Sequence, residues 1–346
     1  MRFPFLRQDG SARNPRVLRV AFFVLLFVEI VFGQVIKTPK ADIEFIGLEK
    51  WTAQDLYNNI VAANPGKPFH ACAVYLTDTL KFADASVTMD LFQGRLYTIV
   101  TVVEPQFASR IHYRESPKVA QPANARFSSL AEIYRSHPNE YMIALQLAGY
   151  HFGKPDYDVS KTGLGLDEET IAIVRRVWQA LDILKTPKDK ALALEVINND
   201  ADYLNRVPAI SVLGNFLDSD STWQSLIDLF RENDSRISSS ATALLTAHAQ
   251  VQKRLVDWAS ATATLRALLD GTNLFAFVPT VKILTVTKVS PKLASPLLKD
   301  GGALLIDFLK ANRQNEKNLA HGLLVQLAGQ DLGYDSVKWS AWIKSL

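Results

Sequence analysis

A single cysteine, Cys72, stands in 346 residues. No intramolecular disulfide can form, and no cysteine-based zinc site can be assembled. The six histidines (His70, His112, His137, His151, His248 and His321) are scattered. No two have the His-x-x-x-His spacing that sets two imidazoles on one helix face. His70 and Cys72 are two apart, so on a helix they point in different directions and form no thiol–imidazole dyad. Cys72 reads as a small buried residue. No serine lies in a Gly-x-Ser-x-Gly elbow. Gly163-Leu164-Gly165 lacks the Gly-Lys-Ser/Thr ending and the preceding strand of a phosphate loop. Long apolar runs are missing too. The longest, Val20 to Phe32, is interrupted by Glu29 and falls short of the roughly 20 residues that span a bilayer.

Charge excess is absent from the body of the chain. The net +3 comes entirely from residues 1–33, where Arg2, Arg7, Arg13, Arg16 and Arg19 face Asp9 and Glu29. Residues 34–346 are formally neutral, a poor match to a phosphate backbone, so nucleic-acid binding is not expected. The arginine-rich start, short apolar core and Gly33 have the layout of a secretory signal, with cleavage before Gln34. The alternative is an uncleaved anchor at residues 20–33. Lack of disulfides does not argue against export, because a large apolar core needs no staples. The apolar fraction, 48%, supplies such a core.

Residues 34–40 read as a linker. Ile43, Phe45 and Gly47 then alternate with polar residues as a half-buried strand does. Thr52 can cap a helix carrying Leu56, Ile60 and Val61, with Asp55 at the capping-box position. Asn64-Pro65-Gly66 ends it. A second helix holds Ala71, Cys72, Val74, Tyr75 and Leu80. Ala85, Val87, Met89 and Leu91 alternate as a second strand, and Gln93-Gly94 reads as a hairpin turn. Leu96 to Val103 is apolar on both faces, as a central strand is.

The order strand–helix–helix–strand–strand, with Ile43-Glu44-Phe45-Ile46-Gly47-Leu48, Phe82-Ala83-Asp84-Ala85-Ser86-Val87 and Tyr97 to Pro105, resembles a POTRA domain over about residues 41–115. In that family the opening strand ends in Gly, a Gly-Phe-x-Asp-Ala-x-Val segment leads into the second strand, and the third strand ends in Val-Glu. Lys81 stands where Gly is usual. The resemblance implies a protein-binding module of the cell envelope, hence a periplasmic or secreted protein. It also implies that the second strand, Ser86, Val87, Thr88, Met89, Asp90 and Leu91, lies at a sheet edge that can accept a partner strand. No alternating strand series follows, so a barrel-assembly role is not carried over.

Ser116 to Ala125, with Pro117 and Pro122 among small residues, reads as an inter-domain linker. Beyond it, over 126–346, the period is helical. Leu204, Val207, Ile210 and Leu213 form one stripe. Thr222 is placed to cap a second, with Trp223, Leu226, Ile227 and Phe230. Ile237, Ala241, Leu244 and Leu245 open a third. Short helices with one apolar face and tight turns stack in pairs. Pairs return at roughly 40 residues, and residues 165–346 are similar to HEAT-like repeat proteins. The most specific piece is the terminal segment Leu327-Ala328-Gly329-Gln330-Asp331-Leu332-Gly333-Tyr334-Asp335 with Trp339 and Trp342. The expected fold is therefore a small α+β domain (41–115) followed by an α-solenoid.

Asp156, Asp158, Asp167, Glu168 and Glu169 could attract a cation. Their spacing fits no EF-hand loop, and acids at a helix start are ordinary capping chemistry. Trp223, Trp258, Trp339 and Trp342 read as core. The expected function is a non-catalytic scaffold that binds protein partners, with no cofactor and no metal. The alternatives are a hydrolase with its site around residues 153–169 and a membrane-anchored structural envelope protein. If residues 1–33 are a cleaved signal, the native protein begins at or near Gln34. N-terminal sequencing checks this, and an intact Met1 in the membrane fraction would rule it out.

Overall fold

The computed structural model describes residues 34–63, 65, 69–153 and 157–346. The expected signal segment, 1–33, lies outside them. No helix of the described residues is long and apolar enough to cross a membrane.

The chain opens with β1 (Gln34–Lys37), β2 (Ala41–Ile46), α1 (Ala53–Ala63), α2 (Cys72–Asp78), β3 (Asp84–Phe92) and β4 (Arg95–Val103). The sheet order is β1-β2-β4-β3. β2 runs parallel to β4, and the other two pairings are antiparallel. Part of the stretch read as a linker, 34–40, is thus a strand. Four residues are too few to show a period, and only pairing with β2 defines β1. β4 is central, paired with β2 on one edge and β3 on the other, and both its faces are covered. Val100 and Val102 lie against Leu56, Ile60, Cys72 and Leu76 of α1 and α2. Tyr97, Ile99 and Val103 belong to the core of the helical part. Gln93 and Gly94, at φ +51° and +75°, close the β3–β4 hairpin.

The residues that carried the resemblance have definite work. Gly47 sits at φ +90°, and a Cβ there would lie 2.2 Å from the Val102 carbonyl oxygen, so no other residue fits. Lys81 is at φ +60°, a left-handed position where Gly costs least. Phe82 packs on Trp51 at 6.0 Å. Glu104 is buried and accepts from the backbone N–H groups of Glu49, Lys50 and Trp51 at 2.9–3.1 Å and from Gln106 Nε2 at 2.6 Å.

The rest is helical: α3 (Ser128–Ser136), α4 (Pro138–Gln146), α5 (Ala148–Gly153), α6 (Glu168–Asp182), α7 (Pro187–Asn199), α8 (Tyr203–Leu213), α9 (Asp220–Asp228), α10 (Ser235–Val251), α11 (Thr262–Leu269), α12 (Leu274–Val286), α13 (Ala294–Leu298), α14 (Ala303–Leu309), α15 (Gln314–Ala328) and α16 (Ser336–Lys344). Asp167 caps α6, and Thr186 with Asp189 forms a capping box on α7. Thr222 does not cap. α9 begins two residues earlier, at Asp220, and Thr222 is buried inside it with its hydroxyl unpartnered. Two rows of helices result. α8, α10, α12 and α15 lie side by side, and α9, α11 and α13 form a second row.

After β4 and a short 3-10 helix, Pro105–Arg110, the chain crosses this body without regular structure over residues 111–124. Arg114 donates its backbone N–H to the Arg231 carbonyl, and its guanidinium reaches Asp228 at 3.0 Å and Glu232 at 2.8 Å. Glu232 also takes the buried Arg206 and the Ser116 hydroxyl. Val119 accepts from Ala201 N–H, and Gln121 donates its N–H to Asp200.

At the C-terminus Gly329 closes α15 at φ +67°, and Asp331 accepts from Gly333 N–H at 2.7 Å and contacts His321 Nε2 at 2.8 Å. Asp335 caps α16. The buried Trp339 donates its indole N–H to the Gly333 carbonyl and meets Trp342 edge-on at 5.6 Å. Truncating so buried a ring costs about 3–5 kcal/mol. The last helix packs on α14 rather than over the expected Leu323, Leu324 and Leu327 stripe, so deleting residues 336–346 will uncover α14, lower the melting midpoint and promote aggregation. In hydrogen exchange, protection falls first in 303–327 and holds in 42–103. An unchanged melting curve would show that these tryptophans are no cap. Glu104 offers a second test. Burial pushes its carboxyl up, but the bonds from Trp51, Gln106, Glu49 and Lys50 outweigh this and hold it below the usual glutamate value. A depressed carboxylate stabilises above its unfolded pKa, and that contribution is lost as pH falls through the folded one. Glu104→Gln will cost about 2–3 kcal/mol at neutral pH and flatten the acid limb of the stability profile, read by urea titration across pH.

Candidate partner-binding groove

The expected edge strand is an edge in the fold: among the described residues β3 ends the sheet order, with β4 on one side and no strand on the other. Its first half is buried and its second half, Thr88 to Phe92, is exposed. Asp84 accounts for the first half. This buried carboxylate accepts from Ala85 N–H at 2.7 Å, Asn273 N–H at 2.9 Å and the Tyr113 hydroxyl at 2.7 Å, tying the start of β3 to the start of α12. From there β3 and α12 bound a cleft of about 370 Å³ that reaches α15.

Of the six residues expected to bind a partner, Ser86, Thr88, Met89 and Asp90 line this cleft. Val87 packs on the opposite face of the sheet, against the α1–α2 core. Leu91 is 74% exposed beside Met89 at 46%. The opposite wall is apolar: Leu274, Phe275, Val278 and Pro279 of α12, with Phe308 of α14. Arg313 and Glu316 close one side, 3.4 Å apart. Arg313 also reaches Asp90 at 3.2 Å and lies over the rings of Phe92 and Tyr97. Behind them the buried Glu44 accepts from the Tyr97 hydroxyl at 2.8 Å and from Asn312 N–H. Burial, followed by this pairing with Glu44, pushes the Tyr97 hydroxyl well above the usual tyrosine range. Phe275 and Pro279 also border a second groove of about 440 Å³, lined by uncharged residues such as Ser238, Ser239, Thr242 and Gln250 of α10.

The α12 and α15 side of the cleft is invisible in sequence. Phe275 and Arg313 lie far from β3 along the chain, and Arg313 with Glu316 looks like an ordinary surface pair at helical spacing.

A separate cleft of about 400 Å³ lies among His151, Phe152, Asp182, Lys185, Asn215, Asp218 and His248. His151 stacks on Trp178 at 4.8 Å with Nε2 3.3 Å from Asp182. His248 is 2% exposed, and its Nδ1 has no partner. Burial pushes its imidazole down to about 4. The nearby loop acids are occupied: Asp158 holds Ser160 and Arg175, and Asp167 caps α6. Asp156 and the side chain of His70 lie outside the described residues. Burial pushes the Cys72 thiol up to about 12, away from nucleophilic use. Among the described residues no group of three or more His, Cys, Asp or Glu could hold a metal ion.

His248 yields a pH prediction. Its folded pKa lies below the unfolded value of 6.5, so the folded state binds the proton less readily. The stability it supplies is complete above the unfolded pKa and is lost as pH falls toward about 4. His248→Phe will therefore shrink the fall in melting midpoint over that window, and an unchanged slope would refute the assignment.

No protein-family model matches the chain, and no curated protein or solved structure shows significant similarity to it.

Proposed function

We propose that this chain is an exported, non-catalytic protein-interaction protein that binds a partner segment along the free edge of β3. The observation that carries the reading is the exposed half of β3, an edge strand with apolar side chains beside a ready-made cleft. An unpaired edge offers a row of backbone N–H and C=O groups to an added strand, and long apolar edges are a hazard unless something uses or covers them. Two helices between β2 and β3, with β2 parallel to the central β4, agree with a POTRA-like module. The two helix rows, in which every step but α12 to α15 joins second neighbours in the chain, are the support for reading the helical part as a HEAT-like stack that serves as a rigid base.

Proline at Met89 tests this. The N–H groups of Ala85 and Leu91 point away from β4, each onto the carboxylate of the residue before it, so in the alternating antiparallel ladder the Met89 N–H faces the free edge while the Thr88 N–H faces Ile99 of β4. Met89→Pro removes one edge donor in the exposed half and leaves the β3–β4 ladder intact. It will weaken capture of partners from native envelope extract while the circular dichroism spectrum stays unchanged. Equal capture by the two proteins would remove this edge from consideration.

A further inference from the structure

The cleft beneath β3 holds more negative than positive charge. Asp90 and Glu316 line it, and Glu44 lies buried behind Tyr97. Arg313 is the single cation among these groups, and it is shared: its guanidinium reaches Asp90 at 3.2 Å and Glu316 at 3.4 Å. It is 6% exposed and fixed against the Phe92 and Tyr97 rings, so it cannot follow one carboxylate into the open. Glu316 Oε2 is buried with no hydrogen-bond donor. Burial pushes its carboxyl up, Arg313 works against this, and Glu44 and Asp90 add to it. A carboxylate in that state gains most from a further cation. The backbone adds an acceptor of its own. Pro279 has no N–H, so the Phe275 carbonyl, on the cleft wall, lacks its usual intrahelical donor.

We infer that the segment docking along β3 is an extended, basic peptide whose lysine or arginine side chain enters this cleft between Asp90 and Glu316. The inference rests on the strand-addition reading above and adds the charge of the partner. The apolar wall of Phe275, Val278 and Pro279 takes the aliphatic stem of that side chain, and the ammonium or guanidinium meets the carboxylates. The neighbouring groove on α10 has no charged lining residue, so the selected charge is confined to one position. An acidic side chain at the same place would be repelled by Asp90, Glu316 and Glu44.

The test uses labelled peptides of nine residues, the length of β3, built on an alternating Thr-Val frame with Lys, norleucine or Glu at the centre. Binding to the full chain is followed by fluorescence anisotropy at low and high salt. The lysine peptide will bind about tenfold more tightly than the norleucine peptide, the size of one partly buried charge pair. That gap will narrow in high salt and close in the Asp90→Asn/Glu316→Gln protein, which leaves Arg313 and the β3 backbone in place. Met89→Pro, which removes an edge-facing N–H, will weaken the lysine and norleucine peptides alike. Equal affinity of these two peptides for the unmodified protein, with both lost in Met89→Pro, would overturn the charge inference and leave strand addition standing. Tighter binding of the glutamate peptide would overturn it too. If none of the three binds, strand addition falls with it.

Discussion

Buried carboxylates decide where the sheet sits on the helices. Asp84 and Glu44 are each almost wholly excluded from solvent, at 7% and 0% exposure. A buried carboxylate costs several kcal/mol unless donors surround it. The donors come from across the interface: Asn273 N–H for Asp84, and Asn312 N–H for Glu44. Neither bond survives a shift of the sheet by one residue. Two such points, one at the start of β3 and one on β2, pin the sheet along a line. The apolar residues Ile46, Tyr97, Ile99 and Val103 then fill the interface as part of one continuous core. Because the outer half of β3 lies beyond both points, it stands off the body and a cleft opens beneath it.

A third carboxylate fastens the crossing segment. Glu232 is buried and takes Arg114, Arg206 and Ser116 together. Removing any one cation would leave a buried charge short of partners. The proline-containing stretch read as a linker is therefore held along its length, through Ser116, Val119 and Gln121, against the helical body. That fixed path keeps the sheet near α12 and α15, and it gives the proposed groove its two walls at constant spacing. A site built on rigid elements suits recognition by backbone pairing, where small displacements break hydrogen bonds.

Much of the fold was legible. The β4 strand announced itself by apolar residues on both faces, the hairpin by Gln93-Gly94, and the start of α1 by Thr52, whose hydroxyl accepts from Asp55 N–H. All of these signals are local: a period, a cap, or a turn residue whose conformation few others adopt. The misses were local signals with a rival. Thr222 looked like a cap because Ser, Thr and Asp crowd residues 218–222, and tertiary burial chose an earlier start. β1 was missed because its pairing partner, rather than its own pattern, makes it a strand.

The candidate site divides in the same way. One wall was named in advance: the alternation of β3 is a property of neighbouring residues, the resemblance to a POTRA domain implied its edge position, and Ser86, Thr88, Met89 and Asp90 of the six line the cleft. The other wall was not. Phe275, Pro279, Arg313 and Glu316 meet β3 only because Asp84 and Glu44 find their hydrogen-bond donors on distant helices. By itself the sequence determined most of the strands and helices, β1 excepted, because the backbone responds to adjacent side chains. Only the tertiary structure decided which helix faces which strand, because a buried charge is satisfied by whatever donor the closed chain brings to it.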